Sequence, residues 1–450
     1  MNRFPASPLQ RLLAEYGMLL VLALLCVFFS VITYTEQHPT GAAAAKLLAR
    51  EITAQFARSS KVLIAARGQA DDAAFAEALE AALKAGGMEV VAVVKGEPKE
   101  AREALKRIAD VGGSLDVIAC NQATAGWLVF ADLKTDFPPL ARARVIQPRS
   151  YRWPDFLKRE NLLNIANQIA VIAIVAIGMT MVIITGGIDL SVGSLIALSA
   201  VVVCWLIREM GGGVNASAPG MAACALGAIL MCGAAGLFTG AMVTRCGIPP
   251  FIVTLAMMLV ASGLAYLLAE GQSVYQVPDS FIWLGRGADL FNVPNAVLLM
   301  LALYGAAHVL MSRMKLGRWL YAVGGNREAA RFSGVPVRRV LLFAYVASGL
   351  LAGLGGVVMA SQLKSGSPTY GQMYELYVIA AVVVGGASLS GGTGRMFGTL
   401  IGAFIIAVIQ NGMNLKGVEP YTQKVVLGLV ILAAVLADRF RLRGWSARSD

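Results

Sequence analysis

Uninterrupted apolar runs dominate the chain. Stretches of the roughly 17 to 25 apolar residues that a helix needs to cross a bilayer lie near 16 to 35, 163 to 186, 191 to 207, 219 to 244, 250 to 269, 294 to 312, 340 to 362, 374 to 393, 396 to 413 and 421 to 437. They predict a polytopic α-helical membrane protein with about ten transmembrane helices. Between the first two runs the periodicity changes. KVLIAA (61 to 66) reads as a short strand, and DDAAFAEALEAALKAGG (71 to 87) as a helix with Phe75, Leu79 and Leu83 on one face and glycine at its end. MEVVAVV (88 to 94), EPKEAREALKRIADVGG (97 to 113) and LDVIAC (115 to 120) continue the alternation. A βαβαβ order predicts a small parallel α/β layer.

Charge follows the same partition. Residues 36 to 153 hold 16 Lys/Arg and 14 Asp/Glu in 118 positions, whereas the other 332 residues hold only 35 charges. The expected organisation is a cytoplasmic N-terminus and first transmembrane helix (1 to 35), a small α/β insert (36 to 153), and a core of nine further helices (154 to 450) that includes a basic loop at 313 to 339. Over the whole chain 57% of residues are hydrophobic and 14% charged, against roughly 25% charged in soluble globular domains. A soluble enzyme is therefore excluded.

The net charge of +11 points to membrane topology and not to nucleic acid, because basic residues collect in cytoplasmic loops. With the N-terminus inside, the inner side receives Arg3, Arg11, Arg245, Arg313, Lys315, Arg318, Arg327, Arg331, Arg338, Arg339, Arg395, Arg439, Arg441, Arg443 and Arg448. The short outer loops receive only Arg208, Arg286, Lys364, Lys416 and Lys424. Both termini are thus expected in the cytoplasm and the insert outside. A cleaved signal sequence is the alternative reading of the first run, and it leaves the insert on the same side.

Catalytic chemistry is hard to find. The six cysteines form no CxxC pair, and His38 and His308 are the only histidines, so no metal or catalytic cluster is expected. No GxxxxGK[ST] loop occurs, so ATP hydrolysis would reside on another chain. The ten runs place no Asp, Glu, Lys or Arg at mid-depth, which speaks against a proton or cation relay. Uncharged polar residues, among them Asn167, Gln168, Thr180, Thr254, Gln410 and Asn411, are candidates for a solute path, with interhelical hydrogen bonding the alternative. Glycines at small-xxx-small spacing, such as Gly349, Gly353 and Gly356 or Gly398 and Gly402, predict close helix packing.

Two segments carry more information. In GGIDLSVGS (Gly186, Gly187, Asp189, Ser191, Gly193, Ser194) the glycines end one helix, and Asp189 or Ser191 is expected to cap the next, forming a hairpin at the inner membrane edge. In GGNREAARFSGVP (324 to 336), Asn326 is the expected N-cap, Glu328 suits the first turn, Gly334 is the stop and Pro336 prevents continuation. Such a short helix is unstable alone in water and must dock on something.

These two motifs, with GIPPFIVTLAMM (247 to 258) and VGGASLSGGTGRMFGTLIGAFIIAVIQNGMNL (384 to 415), resemble in that order the permease subunits of bacterial ribose-type ABC importers over residues 161 to 440. The resemblance implies a permease of the bacterial inner membrane that pairs into a dimer. It also implies separate ATPase subunits that carry the ATP and Mg, an extracytoplasmic sugar-binding protein, and no cofactor on this chain. It further implies that the segment containing Gly325, Asn326, Glu328, Ala329, Ala330, Ser333 and Gly334 couples to the ATPase. The insert is similar to one lobe of a periplasmic sugar-binding protein, an unusual addition for such a permease. Alternatives are a secondary carrier and a nucleoside or amino-acid permease of the same superfamily.

Overall fold

The structure, a computed structural model, describes residues 8 to 446. Arg3 and Arg448, and the side chains of Arg11, Arg439, Arg441 and Arg443, lie outside the described residues. The chain forms two compact units, Tyr34–Pro154 and the remainder.

In the first unit, strand Lys61–Ala66 pairs in parallel with Glu89–Lys95 on one side and Val117–Cys120 on the other, and Arg144–Ile146 extends the sheet. Strand alternation explains the two faces. Val62, Ile64 and Ala66 point into a core with Leu48, Ile52, Phe75 and Leu79, whereas Leu63 and Ala65 meet Leu105, Phe130 and Leu140. Helices Ala70–Ala85 and Pro98–Asp110 form as expected, the second helped by Glu100, whose carboxylate accepts the Glu97 N–H at 3.0 Å. Helix Gly41–Gln55, the short helices between Gln122 and Leu140, strand Arg144–Ile146, and the antiparallel ribbon of Tyr34–Gln37 with Tyr151–Pro154 were not foreseen. Cys120 is buried, and that burial pushes its thiol up to about 12.

The second unit is helical. By length and composition, seven described helices can cross a membrane: Arg159–Ile184, Val192–Glu209, Ala218–Arg245, Pro250–Leu268, Asn295–Arg313, Val337–Leu363 and Met396–Leu415. Gly17–Ile32, Tyr374–Val384 and Pro420–Ala433 are shorter apolar helices. Arg159–Ile184 is buried over 89% of its apolar window, the signature of a central helix. Glycine sets the packing distances. A Cβ on Gly236 would fall on the Tyr345 carbonyl and one on Gly349 on the Cys232 carbonyl, so helices Ala218–Arg245 and Val337–Leu363 touch backbone to backbone. Where the chain leaves this unit and returns, the Asp155 N–H donates to the Thr33 carbonyl at 3.0 Å, and Phe29 stacks on Phe156.

The run at 374 to 393 is not one continuous helix. Only Tyr374–Val384 is helical, 11 residues, or about 16 Å at 1.5 Å per residue. Residues 364 to 373 approach it as irregular chain and 385 to 395 leave it in turns. Gly385 and Gly386 end the helix inside this run, while Gly366, Pro368 and Gly371 lie before it in the segment already expected between two runs. Protein covers the first part of the irregular backbone, where Ser365, Gly366, Ser367, Pro368 and Gly371 are buried, and leaves much of 385 to 395 exposed. Gly366 bridges to Val274 and rests on the Ala200 carbonyl, while Gly371 rests on Gly193 and Ile196.

Candidate functional site

The helix Arg159–Ile184 ends in a left-handed glycine turn. Gly186 has φ +76°, its N–H donates to the Ile183 carbonyl at 2.9 Å, and the Gly187 N–H donates to the Val182 carbonyl at 3.0 Å. The expected helix cap does not form: neither Asp189 nor Ser191 accepts from the first turn of Val192–Glu209. Asp189 is instead 2% exposed and accepts from the Ser191 N–H (3.0 Å), the Ser191 hydroxyl (2.6 Å) and the Ser348 hydroxyl (2.8 Å). Ser348 lies against Gly178, six residues before the end of the first helix of the hairpin, so Asp189 reaches roughly 9 Å inward from that end. The carboxylate ties the hairpin to the middle of Val337–Leu363. Beside it, the buried hydroxyls of Tyr345 and Thr239 have no hydrogen-bond partner among the described residues.

Three distant motifs meet at the end of this hairpin. The Ile184 carbonyl accepts the Gly392 N–H at 2.8 Å, a Cβ on Gly324 would collide with that same carbonyl, and Gly391 packs on Gly324 and Gly186. The Tyr321 hydroxyl closes the junction by donating to the Gly394 carbonyl at 2.8 Å. Only residues without Cβ allow three backbones to approach this closely.

From that junction the chain enters the short helix. The region expected as a basic loop opens with a further helix, Lys315–Gly325, held by buried Leu320 and Val323. Asn326 then caps Arg327–Phe332, its side-chain oxygen accepting from the N–H groups of Glu328 (3.0 Å) and Ala329 (2.9 Å). Gly334, at φ +82°, ends it, with the Val335 N–H donating to the Ala330 carbonyl at 3.0 Å. Ala330 is the one buried residue of this helix, while Gly325, Asn326, Glu328, Ala329, Ser333 and Gly334 are exposed. Phe332 is 83% exposed, with the Arg331 guanidinium 5.8 Å from its ring centre. Sequence reasoning missed it, although a phenylalanine following a basic residue on a polar helix is a visible signal.

The six path candidates separate into two groups. Asn167 donates to the Gly285 carbonyl (3.1 Å) and accepts from Gln362, Thr180 bonds to Thr399 (2.8 Å), Thr254 lies within reach of the Ile188 carbonyl (3.4 Å), and Asn411 pairs with Asn161. Three of these tie helix to helix, and Thr254 ties its helix to the hairpin turn. Gln168 and Gln410 line a cavity of about 230 Å³ with Asn414, Gln423, Tyr374 and Tyr377. His308 packs on Phe397, ring centres 4.9 Å apart. Nearer the start of the irregular segment, the exposed Asp279 takes a hydrogen bond from Lys364, which together with the lysine charge holds its carboxyl below the usual range. Among the described residues no group of three or more His, Cys, Asp or Glu could hold a metal ion.

Comparison with known proteins bears on this arrangement. Residues 161–435 match the family described as branched-chain amino acid transport system / permease component. The ribose import permease protein RbsC of Escherichia coli (strain K12) is 45% identical over 289 residues, covering 63% of this chain and 87% of that protein. RbsC of Bacillus subtilis (strain 168) is 43% identical over 288 residues (64% and 87%), and the D-allose transport system permease protein AlsC of Escherichia coli (strain K12) is 38% identical over 284 residues (63% and 85%). No solved structure matches. The hairpin, the glycine junction and the short capped helix all lie inside the matched region, and the chain belongs to this permease family as a multi-pass membrane protein.

Proposed function

We propose that this chain is the membrane-spanning permease subunit of an ATP-driven importer of ribose-like monosaccharides in a bacterial inner membrane. The family description alone leaves amino acids open. The observation that carries the sugar reading is that relatives 38 to 45% identical, over some 85% or more of their own length, are named for ribose and allose. In this reading the chain crosses the membrane ten times, with both termini inside and the 36 to 153 insert outside. It pairs with a second permease subunit and receives sugar from an extracytoplasmic binding protein. The capped helix around Glu328 docks on a cytoplasmic ATPase, which carries the ATP and Mg. The solute passes Gln168 and Gln410, while Asn167, Thr180, Thr254 and Asn411 hold the wall of the path.

The test is reconstitution. Proteoliposomes containing this chain, its ATPase and its binding protein should accumulate D-ribose in an ATP-dependent manner, and the purified chain alone should hydrolyse no ATP. Sugar uptake driven by an ion gradient without the ATPase would favour a secondary carrier instead.

Native cysteines test the sidedness. Cys246 is exposed after helix Ala218–Arg245, and Cys120 is buried in its strand. A membrane-impermeant maleimide should label Cys246 only in inside-out vesicles and leave Cys120 unmodified from either side. An introduced cysteine replacing Gln69 should react from the outside. Labelling of Cys246 in right-side-out vesicles would reverse the topology.

A further inference from the structure

We propose that Glu375 and the hydroxyl-lined cavity in front of it form a hydroxyl-recognition site for a neutral, polyhydroxylated solute inside the permease. The proposal rests on the importer reading and assigns a residue to it. Sequence reasoning placed no acid at mid-depth, yet Glu375 stands in the first turn of the half-length helix Tyr374–Val384. Its neighbour Tyr374 shares a cavity wall with Ile169 and Ile172, the middle of the 26-residue central helix. Glu375 therefore lies level with the middle of the central helix.

Glu375 is partly exposed and enters none of the ion pairs among the described residues. A carboxylate at that depth is unfavourable against lipid and belongs on a water-filled path or opposite a ligand. The start of a helix favours its negative charge. Space is kept for it deliberately: a Cβ on Gly193 would strike both the Glu375 carboxylate and the Gly371 carbonyl. That gives Gly193 of the GGIDLSVGS motif a role other than turning the chain.

The cavity measures about 180 Å³; Ser194, Ser262, Tyr266, Thr369 and Gln372 form its polar wall with Glu375, and Met258, Leu259 and Pro368 face them from the apolar side. Drug-sized sites begin near ~300 Å³, so this volume suits a single small ring or polyol. The chemistry matches. A carboxylate accepts two hydroxyl protons side by side, serine and threonine hydroxyls both donate and accept, and a tyrosine ring covers an apolar C–H face. A vicinal diol satisfies such a wall, whereas an aliphatic amino-acid side chain leaves it unpaired.

The experiment uses the full chain with its ATPase and binding protein in proteoliposomes, with D-ribose and 2-deoxy-D-ribose as probes. Glu375→Gln should slow D-ribose uptake about tenfold to a hundredfold, the loss of one charge-assisted hydrogen bond, and Ser262→Ala about fivefold. Both should narrow the preference for D-ribose over the deoxy sugar. If Glu375→Gln fails to assemble, the preference measured on Ser262→Ala decides. Unaltered rates and unaltered preference in both variants would overturn the site. So would uptake that follows external Na⁺ and ignores the hydroxyl pattern, since the carboxylate would then hold a cation. A wild-type complex that moves no sugar at all would instead refute the importer reading before any variant is compared.

Discussion

Replacing Asp189 by alanine is expected to destabilise the helical unit by about 3 kcal/mol, the scale set by leaving buried donors without an acceptor. The Ser191 N–H, Ser191 hydroxyl and Ser348 hydroxyl all donate to this one carboxylate. The hydroxyls can rotate toward other acceptors, but the N–H cannot, so part of the loss is unavoidable. Ser348→Ala removes one of the donors and leaves the buried acid short of a partner, at about 1 to 3 kcal/mol. Asp189→Asn should fall between wild type and alanine, because an amide oxygen still accepts while its NH₂ meets hydroxyls. The check is thermal unfolding of the purified protein in one detergent, with membrane expression alongside. The carboxylate would be a dispensable ornament of the turn if Asp189→Ala and Ser348→Ala both melted with the wild type.

The same triad bears on transport. Helix Val337–Leu363 starts one residue after Pro336, which follows the short capped helix, and Ser348 lies on it. If the short helix docks on the ATPase as proposed, its displacement has a lever to the hairpin through Ser348 and Asp189. Loss of the carboxylate should lower uptake more than it lowers ATPase binding.

What was legible beforehand follows from the range of the interactions. Asn326, Gly334 and Pro336 act on backbone groups within a few residues, so the capped helix could be read from composition alone. Gly186 was readable for the same reason. Asp189 was misread as a cap because its decisive partner is Ser348, 159 residues away. The break before Tyr374 was readable from Gly366, Pro368 and Gly371, but the one after Val384 was hidden by averaging, because apolar residues on either side outweigh Gly385 and Gly386 in any window long enough to detect a span. Helix Gly41–Gln55 was overlooked because small alanines, Ala44, Ala45 and Ala49, make up much of its buried face, and only Leu48 and Ile52 carry the usual signal.

The other large effect is expected at the short helix itself, where Phe332→Ala should weaken ATPase capture by about 2 kcal/mol or more, the size of an aromatic interface anchor. That corresponds to roughly thirtyfold in affinity. Burial divides the helix: Ala330 packs on the permease, whereas Phe332 is exposed beside Arg331 and in the proposed docking is the group that enters the ATPase. Gly334→Val should act differently, forcing a β-branched residue into φ +82° at about 1 to 2 kcal/mol and unwinding the stop. Glu328→Arg removes a favourable first-turn charge worth ~0.3 to 1 kcal/mol to the helix and should have the mildest effect of the three. Each variant should insert and express normally while D-ribose uptake falls and co-purification of the ATPase weakens in the order Phe332→Ala, Gly334→Val, Glu328→Arg. Undiminished ATPase capture by both Phe332→Ala and Gly334→Val would reduce the segment to an internal loop of the permease and move the coupling surface elsewhere.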